Sequence, residues 1–155
     1  MLIVRKACPE DMKDVLELIQ ELAVFEREPE AVILTESDLI RDGFGGKPLF
    51  DALVAVINNE VFGMALYYAR YSTWKGKTLH LEDLVVTERE RGTGAGQALF
   101  SAVVKEAKEQ GVKRMEWVVL SWNHPAIRFY EAAGAHVSKE WNIVQMDEEA
   151  LANFS

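Results

Sequence analysis

Met12, Val15, Leu16, Ile19, Leu22 and Ala23 recur at helical spacing, while Lys13, Asp14, Glu17 and Gln20 fall on the opposite side. The pattern predicts an amphipathic helix opening at Pro9-Glu10-Asp11 and running to about Glu26, behind a short strand at 2–4. Thr35-Glu36-Ser37-Asp38 has the form of a capping box and predicts a second, short helix ending near Gly43. Residues 50–57 and 61–71 read as strands joined at Asn58-Asn59, a pair that tolerates positive φ. A turn at Trp74-Lys75-Gly76-Lys77 leads to a third strand of this meander at 78–87. The next helix spans 97–110, with Ala98, Leu99, Ala102, Val103 and Ala107 on its inner face and Gly111 as its stop. A strand at 114–120 follows, then a helix at 125–133 with Pro125 in its first turn and Gly134 just past its end. A last strand around 141–146 and a short C-terminal helix complete the pattern. The order β-α-α-β-β-β-α-β-α-β places the chain in the α/β class, with a mixed, mostly antiparallel central sheet flanked by helices.

The chain has 155 residues, 49% of them hydrophobic, which suits one domain over 1–155 with a substantial core. A formal net charge of −8 argues against nucleic acid as the main partner. It is compatible with cationic substrates and equally with ordinary solubility. The single cysteine, Cys8, cannot form an internal disulfide, which points to a reducing compartment. No apolar run reaches membrane-spanning length, and residues 1–6 enter a strand pattern without a signal-peptide layout. The expectation is a soluble, cytoplasmic protein. His80, His124 and His136 show no metal-ligand spacing, so no metal is expected.

Between the strand ending near Val86 and the helix from Gln97 lies Arg91-Gly92-Thr93-Gly94-Ala95-Gly96. Glycines there let a ligand approach the backbone, and the free N–H groups and dipole of the following helix favour an anion, typically a phosphate. No Lys-Ser or Lys-Thr follows, which excludes a P-loop, and Gln97 occupies the third glycine position of a dinucleotide fingerprint. A bare tight turn is the alternative. Glu82 and Asp83 are adjacent carboxylates in a strand; alternation predicts Glu82 on one face with His80, Leu84 and Val86 and Asp83 on the other, so no acid–base dyad.

The strand, the Arg-Gly-x-Gly-x-Gly loop, the helix, the next strand and then Asn123-x-Pro125-x-x-x-Phe129-Tyr130 resemble the GNAT acyl-CoA N-acetyltransferase superfamily. Glu21-Leu22-Ala23 with Phe25-Glu26, Val32 to Glu36, Asp42-Gly43-Phe44-Gly45, Tyr67-Tyr68, Leu81-Glu82-Asp83, Trp122-Asn123 and Gly134-Ala135 extend the likeness to the diamine (spermidine/spermine) acetyltransferase branch. The resemblance implies the GNAT fold with splayed central strands and an acetyl-CoA-dependent N-acetyltransferase. Its substrate would be a small cationic amine, a polyamine or diamine or a thialysine-like amino acid, attacked directly in a ternary complex. In that frame Gly92, Thr93, Gly94, Ala95, Gly96 and Gln97 hold the CoA diphosphate, with Arg91 at the mouth of the loop and Asn123 also on the coenzyme. The backbone of Leu84, Val85 and Val86 pairs with the pantetheine arm, and an N–H there faces the thioester oxyanion. Tyr130 contacts CoA and is the general acid for its thiolate; Glu82 holds the ammonium and passes on its proton. Phe25, Glu26, Glu82, Glu116, Trp117 and Glu140 form the substrate set. A homodimer through the C-terminal strands, with Trp141, Ile143 and Val144 as its apolar surface, is also implied. Phe25 stands where the branch often has tyrosine, Glu116 where the spermidine enzyme has histidine, and the segment after Gly134 is shorter. The amine therefore stays open, an aminoglycoside or protein N-terminus included. So does a non-catalytic acyl-CoA sensor or a nucleotide-binding α/β domain.

Overall fold

The computed structural model describes residues 1–155. Two compact units divide the chain, Met1–Val118 and Val119–Ser155. The first holds a five-stranded sheet of β1 (Ile3–Lys6), β2 (Asp51–Ile57), β3 (Glu60–Ser72), β4 (Gly76–Val86) and β5 (Met115–Glu116), in that spatial order. Every pairing is antiparallel except β4 with β5. This is the mixed, mostly antiparallel sheet expected.

Local chemistry sets most of the boundaries. Asn58 and Asn59 take φ of 50° and 66°, closing the two-residue β2–β3 turn as type I′ geometry requires. Helix α1 (Met12–Phe25) follows a 3₁₀ turn at Pro9–Asp11. Helix α2 (Glu36–Phe44) carries the capping box: Asp38 N donates to Thr35 Oγ1 at 3.2 Å and Thr35 N to Asp38 Oδ2 at 2.9 Å. Helix α3 (Ala95–Glu109) stops at Gly111, whose φ of 69° costs a glycine little.

The two sheet faces carry different helices. Met12, Val15 and Leu18 of α1 and Leu39 of α2 pack with Val54, Val56, Met64, Leu66 and Val85 into one buried cluster. Leu18 joins this face although the sequence pattern did not select it, while Leu16, Ile19 and Leu22 flank it. Across the sheet α3 buries Leu99, Phe100, Val103 and Ala107, and a methyl on Gly63 would meet Leu99 at 3.2 Å. Tyr67 is 1% exposed and its hydroxyl has no hydrogen-bond partner, so burial pushes that phenol up.

Two expected strands differ. The strand at 114–120 is reduced to Met115–Glu116, because the parallel ladder ends at the His80–Glu116 pair. Residues 141–146 form no strand: apolar, extended-favouring residues become a strand only when paired to an edge, and this segment pairs with none of the five strands. Trp141 and Val144 are instead 77% and 90% exposed. The second unit consists of α4 (His124–Ala132), α5 (Glu148–Asn153) and connecting segments. No helix is long and apolar enough to cross a membrane.

One half-buried ion pair ties β1 to the 3₁₀ turn that leads into α1. Arg5 Nη1 donates to Asp11 Oδ2 at 2.7 Å and Nη2 to Oδ1 at 3.0 Å, and Cys8 N and Sγ also donate to Oδ2. The guanidinium is the main reason Asp11 falls to about 2. A carboxylate whose folded pKa is depressed contributes stability above its unfolded value and loses it as pH falls through the folded one. Asp11→Asn should therefore cost about 1–2 kcal/mol at neutral pH, since Arg5 is partly solvated. The cost should vanish near pH 2, as urea melts across pH will read.

Candidate active site

The site begins with an irregularity in β4. Leu66 pairs with Asp83 but Tyr67 pairs with Leu81, so Glu82 is an extra residue, a β-bulge. The bulge reverses the parity of the strand. Before it, His80 opposes Tyr68; after it, Asp83 opposes Leu66 and Val85 opposes Met64. All of these lie on the α1 face, where Leu66, Met64 and Tyr68 pack. Leu84 and Val86 instead oppose Ala65 and Gly63 on the α3 face. The expected alternation is thus corrected in two respects. Glu82 keeps His80 on its side but not Leu84 or Val86, and Glu82 and Asp83 no longer point apart.

Glu82 is held from below. Tyr68 Oη donates to Glu82 Oε2 at 3.0 Å, and His80 Nε2 lies 3.3 Å from the same oxygen. Asp83 is more buried. Desolvation first, then the charges of Glu82 and Glu26, push its carboxyl up to about 6. Glu26 is itself raised by burial. It is the C-cap of α1, whose end closes through Glu28 N to Ala23 O (2.8 Å) and Arg27 N to Val24 O (3.1 Å), with Arg27 at φ 64°. Three carboxylates from two elements therefore share one electrostatic neighbourhood, a concentration of negative charge that suits a cation. Sequence reasoning omitted Asp83 and Tyr68 from the site. The Glu-Asp adjacency was the available signal, and only the bulge gives it meaning.

β4 then leads into the glycine loop. Past the His80–Glu116 pair, β5 has no further ladder with β4, so Leu81 to Val86 run without a strand on that edge. A 3₁₀ turn at Glu88–Glu90 follows, fastened by Glu88 N to Glu21 Oε1 of α1 at 2.8 Å. Gly92 and Gly94 have φ of 85° and 88°, and nothing lies within 4 Å of a Cβ built on either. Gly94 is the N-cap of α3 and has no side chain to accept the first-turn N–H groups; only Ala95 N has a weak contact, 3.4 Å to Thr93 Oγ1. Helix α3 starts two residues earlier than predicted, which puts Ala95, Gly96 and Gln97 in its first turn. Their amides suit an anion by direction and by dipole. The Arg91 guanidinium sits 5.7 Å from the Phe25 ring centroid, and its Nε is 3.5 Å from Val86 O. It links the end of α1 to the loop.

Glu116 is paired with β4 at His80 and lies between two guanidinium groups, Arg70 and Arg114, each at 3.2 Å. Trp117 stacks edge-on against Phe100 of α3. In the second unit Asn123 is the N-cap of α4, its Oδ1 accepting from Ala126 N at 3.4 Å. Tyr130, on α4, packs edge-on against Phe129, and burial raises its phenol above the ordinary value. Glu140 lies in an exposed bend, its N–H donating to Ser138 Oγ.

Comparison with known proteins places the chain among acetyltransferases by sequence and by fold. The pattern of the acetyltransferase (GNAT) family matches residues 12–135. The chain is 36% identical over 160 residues to a thialysine N-epsilon-acetyltransferase of Bos taurus, covering 96% of this chain and 94% of that protein. It is 35% identical over 162 residues to a human spermidine/spermine N(1)-acetyltransferase-like protein, covering 98% of this chain but only 23% of the relative's length. Among solved structures, an integron cassette protein of V. cholerae superposes with a TM-score of 0.79 at 22% identity, over 97% of this chain and 95% of the other, a likeness of fold.

Asp83 gives a test of the site's electrostatics that needs no substrate. Its folded pKa is raised, so the folded state binds more protons than the unfolded state between about pH 4 and 6, and stability falls as pH rises through that window. Asp83→Asn should stabilise the protein by about 1–3 kcal/mol at neutral pH. The gain should disappear below about pH 4. Thermal melts that show Asp83→Asn less stable than the parent at neutral pH would contradict the carboxylate cluster.

Proposed function

Since the chain belongs to the GNAT family of acetyltransferases, we propose that it transfers acetyl from acetyl-CoA to a primary amine of a small cation, by direct attack in a ternary complex. The observation that carries this is the course of β4. One strand bears the carboxylates at its bulge, loses its neighbour on one edge, and ends in a loop of open amides. Thialysine-type amino acids and polyamines are the favoured substrates, given the relatives named above. The enzyme works as one domain in the cytoplasm.

In this reading the amides of Gly92, Thr93, Gly94, Ala95, Gly96 and Gln97 take the diphosphate, with Arg91 and Asn123 assisting. A Cβ at Gly92 or Gly94 would meet no atom but would demand a strained φ, so the loop keeps its shape only with glycine there. Leu84, Val85 and Val86 offer main-chain groups to the pantetheine arm, and one N–H opposes the charge growing on the thioester oxygen. Glu82, Asp83 and Glu26 attract the ammonium, and Glu82 takes its proton through water. The amine nitrogen then attacks the thioester carbonyl carbon, the C–S bond breaks, the thiolate takes a proton from Tyr130, and the second proton shed by the acylated nitrogen restores the phenol through solvent. Burial keeps that phenol protonated until it is needed. Phe25 and Trp117 wall the amine channel. Glu116, engaged by two arginines, sets the charge around it, and Glu140 stands as a further acidic contact.

Thiol release with acetyl-CoA and a panel of amines tests the reaction. Tyr130→Phe should lower kcat about 100-fold with CoA affinity retained. Glu82→Gln should lower kcat/KM for the amine about 10-fold. Absence of thiol release with every amine, while acetyl-CoA binds, would overturn the assignment.

We also propose a homodimer. Trp141, Ile143 and Val144 are 77%, 64% and 90% exposed on a segment that pairs with no strand of its own chain. Sedimentation should give twice the single-chain mass, and Val144→Asp should halve it. A parent protein sedimenting as one chain would remove the idea.

A further inference from the structure

We infer that His80 is a positioning residue for Glu82, held in a single neutral tautomer by Arg70. This rests on the assignment of Glu82 as the carboxylate that meets the substrate ammonium.

Four side chains from three strands form a line across the sheet. Glu116 of β5 lies 3.2 Å from Arg70 Nη1 of β3; the same Nη1 lies 3.4 Å from His80 Nδ1 of β4; His80 Nε2 lies 3.3 Å from Glu82 Oε2. The His80 side chain is 11% exposed and its ring sits 5.2 Å from that of Tyr68, so neighbours fix its orientation. A guanidinium carries only N–H donors. The nitrogen facing it must present a lone pair, and a neutral imidazole then carries its one proton on the other nitrogen, Nε2. That proton faces Glu82. Glu116 keeps Arg70 in place to impose this choice.

The chemical consequence concerns charge as much as geometry. A cation beside Glu82 would cancel the charge that draws the ammonium in. A neutral N–H orients the carboxylate without cancelling it. Tyr68 Oη and His80 Nε2 both address Oε2, while Oε1 takes part in neither contact and remains for the amine or its bridging water. The 3.3 Å separation is long for a hydrogen bond, and such contacts tighten when the reactive complex forms.

The test combines spectroscopy with kinetics. Long-range proton–nitrogen NMR of histidine-labelled protein at about pH 8 should show His80 as the Nε2–H tautomer. Arg70→Met should let the other tautomer appear. His80→Phe keeps the ring against Tyr68 but removes both nitrogens. It should lower kcat/KM for the amine about 10-fold with acetyl-CoA affinity unchanged, and His80→Gln, whose amide reaches the Nε2 position, should recover most of that loss. An Nδ1–H tautomer or an imidazolium in the parent protein would overturn the inference, whether or not the variants fold. So would a His80→Phe enzyme with undiminished kcat/KM. Glu82→Gln separates the two ideas. If it lowers kcat/KM while His80→Phe does not, only the role of His80 fails; if Glu82→Gln is itself without effect, the assignment of Glu82 fails.

Discussion

The chemistry of this fold depends on one extra residue in one strand. The bulge at Glu82, opposite Leu66 and Tyr67, changes which side chains of β4 face α1 and which face α3. With strict alternation from His80 onward, Asp83 would point to the α3 side, beside Leu99 and Phe100, and its carboxylate would lie in an apolar layer. The extra residue moves Asp83 to the face where α1 ends in Glu26. It also turns Val86 toward Gly63 and Leu99, so the strand leaves the sheet directly above the start of α3. The carboxylate cluster and the approach to the glycine loop are thus two results of a single shift in register.

This arrangement is unfavourable for the folded chain taken alone. Asp83 is desolvated and sits within the field of two other carboxylates, and Glu26 is desolvated as well. Arg27 occupies a left-handed conformation that glycine would take more readily. The stabilising interactions are elsewhere: the apolar cluster around Met12, Val15, Val54 and Met64, the α3 face, and the bidentate Arg5–Asp11 pair. A cationic ligand would relieve this repulsion, so part of its binding free energy is the electrostatic cost already present in the fold.

What could be read in the sequence was what local chemistry decides. Asn58-Asn59, the Thr35–Asp38 box, Gly111, Gly134 and the glycine loop each act within four or five residues, and each stands where the pattern placed it. The bulge could not be read, because no residue type marks an extra position in a ladder; it exists only against Leu66 and Tyr67 on another strand. The same holds for Glu116, which lies between the guanidinium groups of Arg70 and Arg114, and for His80, whose Nδ1 faces the guanidinium of Arg70, ten positions away. Residues 141–146 have strand composition, yet composition cannot supply an edge. The family resemblance drew attention to Glu82 and the loop, and the geometry sets Tyr68 and His80 against Glu82, with Asp83 beside it at the bulge.

The short β4–β5 ladder sets how far the two strands stay joined. Two parallel pairs at Leu79–Met115 and His80–Glu116 hold the strands together at one end. Each further pair would satisfy more backbone groups but would close the edge of β4 from Leu81 to Val86. Main-chain groups of a strand inside a protein need partners, so an edge left open beside a buried sheet is a place for water or for a ligand that brings its own amides. The divergence begins at His80 and the bulge follows two residues later at Glu82. The last paired residue of the ladder is therefore also the one that touches the carboxylate at the bulge. An acyl carrier laid along the open edge would have its diphosphate end toward the loop amides and its acyl end toward Glu82, because β4 itself runs from one to the other.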